Sequence, residues 1–155
     1  MAREETAMSI LLSKADREKI IKALNIDIAL EIGAIIQYIM HEVMAEGMES
    51  PAIMEKFESI ARDEMKHLER LAQRVNYLGG VPNTKPAPVK MGGVIKKMMQ
   101  DDLDGEYTAI KTYKEHVKMC AGIGDTTSRL MLEEILTDEE GHADTWETIL
   151  QKTVK

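Results

Sequence analysis

GGVPNTKPAPVKMG, residues 79–92, carries three prolines in fourteen positions, and its reading decides how the rest of the chain is arranged. Proline lacks a backbone N–H and pushes the residue before it out of helical conformation, so this stretch predicts extended chain. Nearly extended, its residues span roughly 46 Å. Long helical patterns flank it on both sides. Ser13 is a suitable N-cap for a first helix running to about Glu46, with Gly47 as its stop. Ser50-Pro51 opens a second, which ends at Leu78-Gly79-Gly80. A third runs from near Gly93 to about Ala121, where AGIGD turns the chain, and Asp125 or Thr126 caps a fourth that continues almost to Lys155. Helices of about 28 residues are about 42 Å long. The proline stretch can therefore run the whole length of such helices, while the two short connections make antiparallel neighbours. The predicted fold is all-α: a four-helix bundle with one long crossover between helices two and three, and no fifth helix. Two hairpins on a disordered linker are the alternative, but neither hairpin could bury its own apolar face. The bundle occupies residues 13–155, after an N-terminal extension over 1–12.

Composition fits one helical domain. Of 155 residues, 44% are hydrophobic and only 4% aromatic, which favours helices over a β-sandwich. Twenty basic residues against 27 acidic give a net charge of −7, a surface that repels nucleic acid. The N-terminal MAREETAMSILLSKADREK mixes both signs and offers no basic tail. Cys120 is the only cysteine, which excludes an internal disulfide or a CxxC metal knuckle. No apolar run approaches the roughly 18 residues of a membrane span. AMSILLS is too short and wrongly flanked for a signal peptide. These readings predict a cytoplasmic protein without a membrane or nucleic-acid partner.

Alternating steps of three and four residues trace a buried stripe on each helix. The first holds Leu24, Ile28, Glu31, Ile35 and Tyr38; the second Ile53, Phe57, Ile60, Glu64, His67 and Leu71. The third holds Met99, Leu103, Glu106, Ile110, Tyr113, Val117 and Cys120; the fourth Leu132, Ile135, Glu139, His142, Trp146 and Ile149. Each stripe is apolar except near its middle, where carboxylates and imidazoles stand at matching heights. A lone buried Glu or His is usually a satisfied structural residue. Four Glu and two His are another matter, because each ionised carboxylate buried without a partner costs several kcal/mol. No Lys or Arg falls on these stripe segments. Two divalent cations would balance the four carboxylates, with neutral imidazoles completing their shells. Oxygen with imidazole nitrogen suits iron or manganese and, less exclusively, zinc.

An internal repeat supports this set. Adding 75 takes Glu31 to Glu106, Glu64 to Glu139 and His67 to His142. It also takes Ala34, Ile35, Tyr38 and His41 to Ala109, Ile110, Tyr113 and His116. ExxAIxxYxxH thus recurs in helices one and three, and DExxH in two and four. A pseudo-two-fold bundle follows, each helical pair supplying half of a near-symmetric dinuclear site. His41 and His116 read as ordinary, partly exposed histidines, and Cys120 as an inert buried thiol.

ALEIGAIIQYIMHE, DEMKH, LGGVPN, DDLDGEY and ILTDEEGHADTWE, in that order over roughly residues 20–150, resemble segments of the bacterioferritins of the ferritin-like superfamily. The resemblance implies that Glu31 with His67 holds one iron, that Glu106 with His142 holds the other, and that Glu64 and Glu139 bridge them. It makes Tyr38 a nearby electron donor or hydrogen-bond partner. It places Met65 where such proteins carry a haem b ligand across a dimer axis, although Glu58, Arg62 and Glu69 make that face charged. The plain alternative is one of twelve methionines filling an interface. The activity implied is oxidation of Fe(II) by dioxygen or peroxide, with storage of ferric mineral inside a homo-oligomeric shell.

Several positions depart from that pattern. The chain stops after helix four, which leaves a 24-subunit or a twelve-subunit, Dps-like shell open. Ser59 stands where an inner-surface histidine would pair with Asp63. Trp146 comes one residue late, and Tyr113 resembles the paired tyrosines of rubrerythrins, whose additional glutamate is Ala109 here. The competing function is a dinuclear enzyme without storage, a dimanganese catalase or a di-iron peroxide reductase. A third reading is a structural bundle whose acidic core is protonated or hydrated.

Overall fold

The computed structural model describes residues 12–151. The extension expected over 1–12 lies outside them except for Leu12, as do residues 152–155. Among the described residues the chain forms four helices: α1 (Lys14–Met44), α2 (Ser50–Tyr77), α3 (Ile95–Ile123) and α4 (Thr126–Ile149). None is long and apolar enough to cross a membrane.

Local chemistry sets the ends. Ser13 caps α1, its hydroxyl accepting from the Asp16 N–H at 3.1 Å. The helix stops three residues before Gly47, which takes a left-handed φ of 109°. Ser50 is the first residue of α2 rather than its cap. The cap position falls to Glu49, whose side chain makes no cap bond, because the Ser50 N–H already closes a turn onto the Gly47 carbonyl. Pro51 sits in the first turn, as expected. Gly124, at φ 88°, ends α3 by donating to the Cys120 carbonyl. Asp125 then caps α4, accepting from the Ser128 N–H at 3.1 Å. The fourth helix ends at Ile149, the last residue of its stripe, and that side chain is exposed rather than buried.

The proline-rich stretch follows α1. Asn25 accepts from the Asn83 N–H at 2.8 Å and donates to the Val81 carbonyl. The Ala87 N–H reaches the Ala29 carbonyl at 2.7 Å, and the Lys90 N–H reaches Gln37 Oε1 at 2.8 Å. Gly33 permits this close passage, since a Cβ there would stand 3.0 Å from the Ala87 carbonyl oxygen.

Helix α1 packs most extensively on α2, and α3 on α4; α1 also packs on α3, and α2 more lightly on α4. The apolar core is divided in two. One cluster gathers Leu24, Ile28, Leu71, Leu132 and Ile135. The other gathers Phe57, Met98, Leu103 and Trp146 around Tyr38. The charged stripe positions lie between them. At one end, Arg74 of α2 clamps Asp125 with two hydrogen bonds of 2.8 and 3.0 Å and adds Ser128 Oγ at 2.8 Å. The guanidinium and the Ser128 donors hold the Asp125 carboxyl below its ordinary range against the opposing effect of burial. Its stabilisation is therefore present above pH 3.8 and lost as pH falls further. Asp125→Ala removes cap and clamp together and is expected to cost about 2–4 kcal/mol. Thermal melting at fixed protein concentration checks this as a lowered Tm that Asp125→Asn partly restores.

Candidate metal centre

All six ionisable stripe residues meet in one layer. Glu31 comes from α1, Glu64 and His67 from α2, Glu106 from α3, and Glu139 and His142 from α4, each 0–7% exposed. Their donor atoms form two overlapping groups, each within a 4.8 Å span: Glu31, Glu64, His67 and Glu139, and Glu64, Glu106, Glu139 and His142. Glu64 and Glu139 belong to both. Step spacing explains the geometry, since residues three apart on a helix project from nearly one face. His67 Nδ1 lies 2.9 Å from Glu64 Oε2 and 3.0 Å from Glu139 Oε1. His142 Nδ1 lies 3.2 Å from Glu64 Oε1.

Both imidazoles therefore turn Nδ1 inward. Their outer nitrogens face carboxylates of the opposite helix: His67 Nε2 is 3.0 Å from Asp138 Oδ2, and His142 Nε2 is 3.4 Å from Asp63 Oδ2. A carboxylate behind each ring fixes its orientation and leaves the other nitrogen as donor to a metal. The glutamates of α1 and α3 are oriented by tyrosines. Tyr38 Oη donates to Glu106 Oε1 at 2.5 Å, and Tyr113 Oη donates to Glu31 Oε1. Burial, then the adjacent carboxylates, raises both phenols well above their ordinary range and keeps them protonated donors.

The repeat extends further than its sequence motifs. His41 Nδ1 lies 2.9 Å from Asp102, and His116 Nδ1 lies 2.8 Å from Asp27. Contrary to the reading of it as partly exposed, His41 is fully buried, whereas His116 does stay partly exposed, at 13% of its side chain. Asp27 and Asp102 escaped the sequence reading, as did the roles of Asp138 and Gln37. An offset of 75 relates Asp27 to Asp102 and Asp63 to Asp138, and that signal could have found them. Gln37 has no such echo; it donates to Asp102 at 2.8 Å while holding the crossover.

Four atoms of the layer are buried without a hydrogen bond of good geometry: Glu64 Oε1, Glu106 Oε2, Glu139 Oε1 and His142 Nδ1. All four belong to residues of the two groups. Buried polar atoms normally find partners, and a layer with four so poorly satisfied fits a pair of cations. Protons can balance part of the cluster's charge. Burial and the Glu64 charge raise the Glu31 and Glu139 carboxyls well above their ordinary range. Burial opposes it, but the surrounding carboxylates push His67 up strongly and His142 to about 10. Glu64, despite burial, is held low by the His142 and His67 imidazoles beside it.

Met65 lies apart from this layer, 44% exposed on the outer side of α2, near the Glu58–Arg62 pair. Within one chain these residues offer one thioether on an open face and do not enclose a porphyrin.

The fold and this layer define a helical bundle with a buried, carboxylate-rich dinuclear site. Residues 21–155 match the ferritin-like domain. A bacterioferritin of Brucella melitensis is 38% identical over 140 residues, covering 88% of this chain and 86% of that one. A ferritin-like di-iron carboxylate protein of Bacillus anthracis superposes with TM-score 0.85 at 31% identity, covering 90% and 99%. Rhodobacter capsulatus bacterioferritin, with a metal-free dinuclear site and haem iron, gives 0.81 at 32%, covering 90% and 86%. The chain belongs to the ferritin-like family, among its bacterioferritins.

Cations entering the layer must displace its protons. The His142 proton is fully held below pH 6.5 and released as pH rises through about 10, so divalent-cation affinity should climb across that interval. Cobalt(II) titration in weak buffer with a pH indicator is expected to release about two protons per cation. Binding without proton release would contradict this charge state.

Proposed function

We propose that the chain is a ferroxidase that stores iron: Fe(II) is oxidised at the layer formed by Glu31, Glu64, His67, Glu106, Glu139 and His142, then kept as mineral inside a shell of identical subunits. The observation that carries this reading is the buried layer shared by two overlapping ligand groups, in which four polar atoms lack a well-formed hydrogen bond. Kinship with bacterioferritins and with a di-iron carboxylate protein supports iron as the metal.

The residues divide the work. Glu64 and Glu139 reach both groups and would bridge two iron ions; Glu31 with His67, and Glu106 with His142, would complete each side. Iron supplies the redox chemistry, passing electrons to dioxygen or peroxide. Asp138 and Asp63 hold the imidazoles with Nδ1 inward. The tyrosine hydroxyls hold one oxygen of Glu106 and one of Glu31, leaving the other oxygen of each carboxylate to a metal. Tyr38 also accepts from Trp146 Nε1 at 2.8 Å, which fixes its ring beside Glu106. Carboxylates favour the harder ferric state, so the ligand set pulls the reaction toward oxidation. Twelve and 24 subunits both make a closed shell, and a cytoplasmic location fits the absence of a membrane-spanning helix among the described residues.

Anaerobic Fe(II) titration should saturate at two ions per chain, with fast oxidation on adding oxygen followed by slower uptake into mineral. Combined Glu64→Ala and His67→Ala should abolish the fast phase, a loss of about 100-fold or more. Light scattering should give the mass of a closed shell, since a dimer cannot enclose mineral. Oxygen release from peroxide, without mineral, would favour the non-storage catalase reading instead.

A further inference from the structure

The six ligands form two sets of equal composition, but the bundle does not seat them equally. His67 Nδ1 lies 2.9 Å from Glu64 and 3.0 Å from Glu139. His142 Nδ1 lies 3.2, 3.7 and 3.9 Å from Glu64, Glu106 and Glu139, and lacks a well-formed hydrogen bond. The outer contacts differ in the same sense: 3.0 Å from His67 Nε2 to Asp138, against 3.4 Å from His142 Nε2 to Asp63.

Two residues without an echo account for the difference. The offset of 75 takes Lys66 to Gly141 and Leu71 to Trp146. Lys66 donates to Asp63 Oδ1 at 2.8 Å, so Asp63 divides its charge between an ammonium and the His142 ring. Gly141 offers no such donor. Among the described residues His67 is the only hydrogen-bond partner of Asp138, and Lys66 reaches that carboxylate only as a more distant charge. A carboxylate behind a ligating imidazole raises its basicity, so Asp138 supports His67 more fully than Asp63 supports His142. Trp146 acts on the glutamates. Its Nε1–H donates to Tyr38 Oη at 2.8 Å, and a hydroxyl that accepts one hydrogen bond donates the next more strongly. Tyr38 therefore draws more charge from Glu106 than Tyr113 draws from Glu31, since no described residue donates to the Tyr113 hydroxyl. Both effects weaken the same half.

We propose that the two metal positions are unequal: Lys66 and Trp146 make the Glu106–His142 position the weaker one, and the Glu31–His67 position fills first. The proposal rests on the reading of the layer as a dinuclear metal centre. Lys66 and Trp146 are positioning residues that act through Asp63 and Tyr38, and they set the order of filling rather than the number of cations held.

Cobalt(II) is the probe. Its visible absorption, titrated on the assembled protein, gives two stepwise affinities. Anomalous diffraction from crystals holding one cobalt per chain gives the occupancy of each position. In the wild type the first ion should bind about tenfold tighter than the second, with the stronger peak beside Glu31 and His67. Lys66→Gln should strengthen the second step and leave the first unchanged. Trp146→Phe, which keeps an aromatic ring and removes the N–H, should do the same. Gly141→Lys places an ammonium three residues after Asp138, where an added Cβ would meet nothing within 4 Å and lysine is the better helix former; it should weaken the first step. Combined with Lys66→Gln, it moves the lysine to the other half and should shift the stronger peak toward Glu106 and His142. All variants should still bind two ions per chain. Equal peaks in the wild type, or unchanged occupancies in Lys66→Gln and Trp146→Phe, would overturn the inequality while the metal centre stands. Both steps weakening together in those two variants would overturn it as well, by showing general damage to the layer. If the wild type binds no cobalt, the metal-centre reading itself fails. Should Gly141→Lys not assemble, Lys66→Gln and Trp146→Phe decide the matter alone.

Discussion

Four carboxylates buried in one layer of a helical bundle are the constraint on which the rest of this structure depends. Each ionised carboxylate in such a place costs several kcal/mol unless countered, and the described residues put no Lys or Arg among them. The fold answers with two imidazoles, with hydroxyls from Tyr38 and Tyr113, and by raising the Glu31 and Glu139 carboxyls toward their neutral form. Every one of these partners lies on a helix other than that of the glutamate it serves, apart from the contacts His67–Glu64 and His142–Glu139 within a helix. The electrostatics that make the layer expensive therefore also tie α1 to α3 and α2 to α4. Protons can offset part of this charge, and metal ions suit the same positions better, since each replaces more than one proton with fixed charge.

Duplication organises this arrangement, and its exceptions localise function. Asp27–His116 and Asp102–His41 flank the layer as mirrored pairs, and Asp63 and Asp138 stand behind mirrored imidazoles. Symmetry fails at several places. Tyr38 receives a hydrogen bond from Trp146 and packs near Phe57, whereas the positions equivalent to those two around Tyr113 are Leu71 and Leu132. Asp101 and Asp104 replace Ile26 and Ala29. The crossover runs along α1, bonded to Asn25, Ala29 and Gln37, and has no counterpart in the other half. A site with equal halves thus has one aromatic flank and one strapped helix.

Much of this was legible in the sequence because helical periodicity and ligand chemistry coincide. The stripes named Glu31, Glu64, His67, Glu106, Glu139 and His142 without reference to any structure, since charged residues on an otherwise apolar face are conspicuous. Partners of those residues were harder to see. Asp27 and Asp102 lie in runs of mixed polarity, and only the offset of 75 singles them out. His41 was read as partly exposed because it stands near a helix end, although it follows Tyr38 by three residues, and the Asp that pairs with it is 61 positions away. The length of the crossover could be predicted from its prolines, but its path could not. That path depends on Asn25, Gly33 and Gln37 accepting or admitting its backbone, contacts that no local pattern encodes. Ser50 misled for a local reason, since the turn from Gly47 takes up its N–H before the helix begins.

The central claim is that Glu64 and Glu139 hold two metal ions between them. Anomalous diffraction from crystals of the iron-loaded protein tests it most directly. Two peaks about 3.5–4 Å apart are predicted, both within ligand distance of Glu64 and Glu139, one beside Glu31 and His67 and the other beside Glu106 and His142. A single peak in the layer, or iron confined to surface carboxylates, would contradict the account.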